Sequence, residues 1–386
     1  MPFSPSSFQQ LLKPLDRRQM DRIVERHAGD RGVGKRSGAW TCQRHLKALL
    51  FAQLSDLNSL REIEQGLDAG AASLYHLDLR PARRTTLSDA SARRPVAVFR
   101  DICQLLMVQA SRKLKQEGQE LIRLLDSTPI QLRDPRLSWV EADNRTTGLK
   151  VHVLYDSRAQ HPVALDISSP KLSDIAAGRQ IELMAGTTYV FDKAYADYDW
   201  WYQIDQAQAF FVTRLKTNAC RRQVRELEVS GEAIMADRRL KIGHKAPRGG
   251  KLNPLFDTEL REIVVERPGK DPLHLVTNDL TSSPTQIADL YKERWQIELF
   301  FKWIKQNLKI KSFLGRSQNA IRIQIYVAII AFLLLRMFKA DHKAVFNHSL
   351  RALKTRLKVA LFDPFIRTRK PPIPPNPNQL ELRFQP

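Results

Sequence analysis

The chain has 386 residues, 43% apolar and 27% charged, which excludes a disordered polyelectrolyte and leaves room for roughly two to four domains. Lysine and arginine number 62 against 41 acidic residues, and the resulting net charge of +21 implies a polyanionic partner, most often nucleic acid. Three widely spaced cysteines, Cys42, Cys103 and Cys220, exclude a disulfide framework and point to a reducing cytosol.

The charge is unevenly placed. Residues 1–115 carry a net +9 and residues 302–386 a net +14, so the segment between them is near neutral at −2. Two basic flanks around such a centre suit a protein that grips a polyanion at both ends. A generally basic protein with solvated cationic faces is the plainer alternative.

Taken in chain order, residues 6–115 read as helical. Leu11, Leu12 and Leu15 open an apolar stripe that Met20, Ile23 and Val24 continue at three to four residues, and Leu46, Leu49, Leu50 and Leu54 mark a further helix. Ser59 is placed to cap another. Next, Arg83 and Arg84 form a basic turn before a helix expected to start at Ser88 and to carry Arg93 and Arg94. That order fits a helix-turn-helix reader of DNA, although a plain basic bundle fits equally well.

Near residue 121 the period changes from helical to strand-like. Strands are expected at 121–132, 148–155, 162–167, 187–192 and 210–216, with helices at 174–184 and 197–208 between the later ones. Three meandering strands followed by alternating helix and strand imply an α/β fold, a mixed sheet with helices on its faces in the ribonuclease-H-like order. Residues 217–280 read as a β-rich insertion, with short strands at 226–229, 240–242, 262–266 and 273–276. A long helix opened by Ser283 and Pro284 is expected to run to Leu308, followed by helices at 319–338 and 343–360. The apolar run from Ile323 to Leu335 is too short to span a bilayer, which needs about 20 residues, and reads as a buried helix. From Pro364 the tail holds seven of the 21 prolines and reads as extended. The divisions that follow are 1–115 for DNA-end binding, 116–216 and 281–362 for the core, 217–280 for the insertion, and 363–386 for the tail.

Two strand acids stand out. Asp126 and Asp192 each interrupt or end an apolar strand, where a carboxylate is costly without a cation or hydrogen bonds. In the ribonuclease-H-like order their strands are neighbours. Strand-end turn acids are the alternative. On the helix after Ser283, at about 100° per residue, Tyr291, Arg294, Glu298, Lys302, Lys305 and Lys309 share one face. A core seam of Leu290, Ile297, Phe301, Ile304 and Leu308 adjoins it. Asp126, Asp192 and Glu298 make a hard oxygen set suited to two Mg²⁺ ions, one at the attacking and one at the leaving oxygen of a phosphodiester. The neighbouring cations would then hold flanking phosphates.

With these residues in place, the chain resembles bacterial insertion-sequence transposases of the Asp-Asp-Glu type. The relevant branch has a third motif reading Tyr-x2-Arg-x3-Glu-x6-Lys, met here by Tyr291, Arg294, Glu298 and Lys305. The second motif is met by Asp192, Lys193, Ala194 and Tyr195, and the first by Asp126, Ser127 and Thr128. The resemblance covers about residues 120–340, and the helical N-terminal part looks like the accessory domain of one subgroup. It implies a ribonuclease-H-like core, with the 105 residues between Asp192 and Glu298 housing the insertion. It implies cleavage at the element's ends and strand transfer into target DNA, with Asp126, Asp192 and Glu298 as catalytic metal ligands. Mg²⁺ is the implied cofactor, with Mn²⁺ able to substitute. The implied partners are the double-stranded inverted-repeat ends and target DNA, bound by a homodimer on paired ends and with no membrane involved. Tyr291, Arg294, Lys302 and Lys305, with Arg83, Arg84, Arg93 and Arg94, are the expected DNA contacts. A structure-specific nuclease of the same fold and a non-catalytic DNA-binding regulator are the alternatives.

Overall fold

The computed structural model describes residues 5–34, 38–115, 120–143, 146–246, 251–308, 310, 313–343 and 349–365. Gly249 and Gly250, Lys309 and most of the Pro-rich tail lie outside them. The N-terminal part is all helical: α1 Ser7–Leu11, α2 Arg17–Arg26, α3 Cys42–Leu54, α4 Leu60–Ala69, α5 Ala71–Leu74, α6 Arg84–Arg93 and α7 Val96–Leu114. Side chains of Asp16, Thr41 and Ser59 accept the exposed N–H groups at the starts of α2, α3 and α4. One expectation is corrected here. α6 begins at Arg84, with Arg83 in the cap position and no side-chain cap, so Ser88 lies inside the helix rather than at its start.

The sheet strands are β1 Leu121–Gln131, β2 Glu141–Ala142, β3 Thr147–Asp156, β4 His161–Ser168, β5 Thr187–Phe191, β6 Phe210–Arg214, β7 Arg221–Glu226, β8 Ile234–Ile242, β9 Leu260–Val265 and β10 Leu273–Thr277. β4, β3, β1, β5 and β6 lie side by side in that order; β1–β5 and β5–β6 are parallel and the rest antiparallel. This is the ribonuclease-H-like arrangement that the strand and helix order implies. The insertion is no separate sheet. β10 pairs with β6, and β9, β8 and β7 follow outward, so core and insertion share one ten-stranded sheet.

Several boundaries differ from the sequence reading. The helix expected at 174–184 is only α8, Asp174–Gly178; beyond it the bonds become i→i+3 turns and residues 184–186 are exposed. The strand expected at 226–229 is β7, ending at Glu226; as an exposed edge strand it lacks the alternation that marks a half-buried one. α9, Tyr198–Gln206, falls where expected. The single helix expected from Ser283 to Leu308 is two, α10 Pro284–Glu293 and α11 Trp295–Asn307. They join at Arg294 through i→i+3 bonds, Arg294 N–H to Tyr291 C=O and Ile297 N–H to Arg294 C=O, both 3.2 Å. Neither Pro nor Gly sits at this break. A short 3₁₀ passage inside a helix often marks a functional hinge.

α12, Gln318–Asp341, contains the apolar run and is the hub of the molecule. It is apolar all round, long enough to cross a membrane, and buried along most of its length. α3, α6, α7, α11 and β4 all pack on it, and α7 also lies on β4. The N-terminal helices and the sheet therefore share one continuous hydrophobic core. A second, aromatic cluster of Tyr189, Phe191, Tyr195, Trp200, Trp201 and Phe211 fills the opposite face of the sheet under α9. α13, Leu350–Val359, capped by Ser349, is the last helix described.

Candidate active site

Strand parity places the acids. On β1, β5 and β6, Leu124, Val190 and Val212 point into the large core, and Leu125, Phe191 and Phe211 into the aromatic cluster. Side chains alternate along a strand, so Asp126, Asp192 and Arg214, each two residues beyond an inward-facing one, project to the large-core side. The register aligns them as well. Leu124 pairs with Val190 and Val190 with Val212, and the β1–β5 ladder closes at Leu125 and Phe191. Asp126 and Asp192 are thus the next residues on two neighbouring parallel strands, where the ladder opens. Asp192 leaves the sheet by capping a 3₁₀ turn at Lys193–Tyr195, its Oδ1 accepting the Lys193 N–H at 2.6 Å.

α11 lies against β1 and brings Glu298 to the same place. Arg294 joins the two elements: Nη2 is 2.5 Å from Glu298 Oε1, and Nη1 is 3.7 Å from Asp126 Oδ2. Arg214 Nε is 3.3 Å from Asp192 Oδ1. Asp126 also accepts the Ser127 N–H at 2.8 Å. Burial raises the Asp126 carboxyl to about 6; the Ser127 N–H and Arg294 oppose the shift, and Glu298 and Asp192 add to it. The three carboxylates therefore feel one another, and arginines balance them. Among the described residues, no three His, Cys, Asp or Glu side chains stand close enough to grip one metal ion together.

The cations and the phenol divide into two groups. Lys305 donates to Thr128 Oγ1, two residues beyond Asp126, and Lys302 is exposed on the same helix. Tyr291, expected to reach DNA, is buried at 8% exposure, and its hydroxyl has no hydrogen-bond partner. Its ring instead packs near the Arg294 guanidinium, 5.7 Å from the ring centre. In the N-terminal part Arg83, Arg84 and Arg93 are exposed, and Arg93 lines a groove of about 660 Å³ with Arg31, Trp40, Thr86 and Asp89. Arg94 is corrected. It is buried, pairs with Asp30, and donates to the carbonyls of Gly29 and Trp40 and to Cys42 Sγ. Its guanidinium is engaged by four partners in the wall of that groove, so it serves the fold rather than standing free for DNA.

Comparison with known proteins decides the family. The family described as "Transposase DDE domain" matches residues 117–334, which include all three acids. The chain belongs to the DDE transposase family. A domain of unknown function (DUF4372) matches residues 4–80. A transposase of Sinorhizobium fredii is 43% identical over 264 residues, covering 67% of this chain and 72% of its own. An insertion-sequence transposase of Geobacillus stearothermophilus is 26% identical over 307 residues, covering 78% of each. Among solved structures, a piggyBac transposase synaptic complex with hairpin DNA aligns over 97% of this chain and 84% of its own, with a TM-score of 0.51 at 10% identity, which speaks for the fold alone. The chain is a DNA transposase with a mixed α/β, ribonuclease-H-like core.

Some neighbours of the three acids escaped the motif reading. Arg214 was legible in principle: it follows Val212 as Asp192 follows Val190, on the next strand. Asp174 gave no such sign. It accepts Ser127 Oγ at 2.7 Å and lies 3.0 Å from Lys150 Nζ, contacts that only the folded sheet brings together.

Proposed function

We propose that this transposase cuts at the ends of its insertion sequence and joins the freed ends to target DNA at Asp126, Asp192 and Glu298. The observation that carries the reading is the register: two acids level on adjacent parallel strands, with a third laid over them by α11 and a shared arginine between elements. The donor set fits a divalent cation. All three groups supply hard oxygens, and burial raises the Asp126 carboxyl, a cost of ionisation that a bound cation would offset. Mg²⁺, with Mn²⁺ as a substitute, is the cation we assign, and when bound it would activate the attacking oxygen and stabilise the leaving one.

The chain's own groups set the register. Lys302 and Lys305 run along α11 beside Glu298 and give point charges to the phosphates around the scissile bond. Phosphate contacts position the duplex without reading its sequence. Arg83, Arg84 and Arg93, with the groove beside Arg93, face the DNA end, and residues 1–115 act as the end-binding unit. The partners in this reading are the inverted-repeat duplexes and target DNA, held by a homodimer on paired ends in the cytoplasm. The core residues 116–216 and 281–362 carry the chemistry, and 217–280 extend the sheet beside it.

Incubating the protein with end-labelled inverted repeats, target plasmid and Mg²⁺ tests this. Cut ends covalently joined to plasmid are the expected products. Cleavage without joined products would make the protein a nuclease of the same fold, and binding without nicking would make it a regulator.

A further inference from the structure

Arg294 occupies the middle of the acidic site. Its guanidinium touches Glu298 at 2.5 Å and comes within 3.7 Å of Asp126, so one cation serves carboxylates from a strand and a helix. It stands where a cation bridging those two groups would stand. A divalent ion and a guanidinium cannot both share the same carboxylate oxygens, because like charges at that spacing repel strongly in a poorly solvated site.

Two features make the guanidinium removable. Its Nε is buried with no hydrogen-bond acceptor, so the pocket leaves part of the fork unsatisfied. Its backbone is the single-residue break between α10 and α11, where the bonds are already i→i+3. A phosphate offers the planar fork two oxygens at once, a better match than one oxygen of Glu298.

We propose that Arg294 is a placeholder: without DNA its guanidinium holds the position between Asp126 and Glu298 against divalent ions, and a DNA phosphate draws it out. Metal entry is thereby tied to DNA binding, and free protein carries no loaded nuclease site. This rests on the reading of Asp126, Asp192 and Glu298 as metal ligands. Arg294 acts as a positioning residue, since its effect on chemistry passes through the carboxylates.

Mn²⁺ binding, followed by the loss of the free-ion electron paramagnetic resonance signal, tests it without turnover. Wild type, Arg294→Ala, Arg294→Gln and Asp126→Asn are titrated with Mn²⁺, each alone and with an inverted-repeat duplex. If the blocked state holds most of the free protein, Arg294→Ala and Arg294→Gln should bind Mn²⁺ at least about tenfold more tightly than wild type without DNA. DNA should tighten wild type by a similar factor and the two variants far less. Asp126→Asn should bind weakly throughout, which fixes the site being read. Arg294→Gln keeps an uncharged polar head on a shorter stem, so it serves if the alanine variant is poorly folded. Equal Mn²⁺ affinity in DNA-free wild type and both Arg294 variants, with binding still lost in Asp126→Asn, overturns the placeholder and leaves the metal site standing. No Mn²⁺ bound in any protein, with or without DNA, overturns both.

Discussion

Asp126→Asn, Asp192→Asn and Glu298→Gln should each lower end cleavage by about 10³-fold or more while duplex binding is kept. A bound cation contributes several kcal/mol of transition-state stabilisation, and each 1.36 kcal/mol is about tenfold in rate. On the proposed reading affinity comes from the basic flanks, which none of these changes touches. The substitutions are close to isosteric, and none of the three side chains is fully buried, so folding should survive. The comparison is made on one gel, with cleavage and mobility shift measured for the same preparations. A variant that cuts at the wild-type rate removes that residue from the site. If all three cut normally, the acids are strand-end turn residues and the chemistry lies elsewhere.

The second large effect separates two adjacent arginines. Arg94→Ala should destabilise the protein by about 1–3 kcal/mol, because it removes a buried guanidinium and its ion pair with half-buried Asp30, which then keeps, among the described residues, only the Cys42 N–H. The carbonyls of Gly29 and Trp40 lose their donor in the same step, loosening the chain between α2 and α3 from α6. Arg93→Ala should instead leave the melting temperature almost unchanged and flatten the salt dependence of end binding by about 0.9 per lost phosphate contact. Thermal melts and salt titrations on both variants check the pair. A stable Arg94→Ala protein with weakened DNA binding would reverse the two assignments.

How much of this was legible depended on whether a signal was local. The β1, β3, β4, β5 and β6 spans could be read because they are strand-length apolar runs bounded by turn residues, and Asp126 interrupts the run in β1. The fixed spacing of Tyr291, Arg294, Glu298 and Lys305 marked the third motif without any structure. Residue spacing on a helix, however, says which side chains share a face and not which of them is buried. Tyr291 was grouped with the cations on its angle alone, yet it packs inward. Arg94 looked like Arg93 because exposure of an arginine depends on a partner, here Asp30, from 64 residues away. The break at Arg294 left no Pro or Gly to announce it. The placing of the insertion strands on the core sheet follows from β6–β10 pairing, a non-local choice that strand propensity cannot express.

The most direct test of the central claim is to locate the metal. Crystals of the protein with its inverted-repeat duplex and Mn²⁺, examined by anomalous scattering, should show the ions among Asp126, Asp192 and Glu298, with Asp126 between them and two ions about 3.5–4 Å apart. Manganese bound elsewhere, or the three carboxylates remaining more than about 8 Å apart around the DNA, would contradict it.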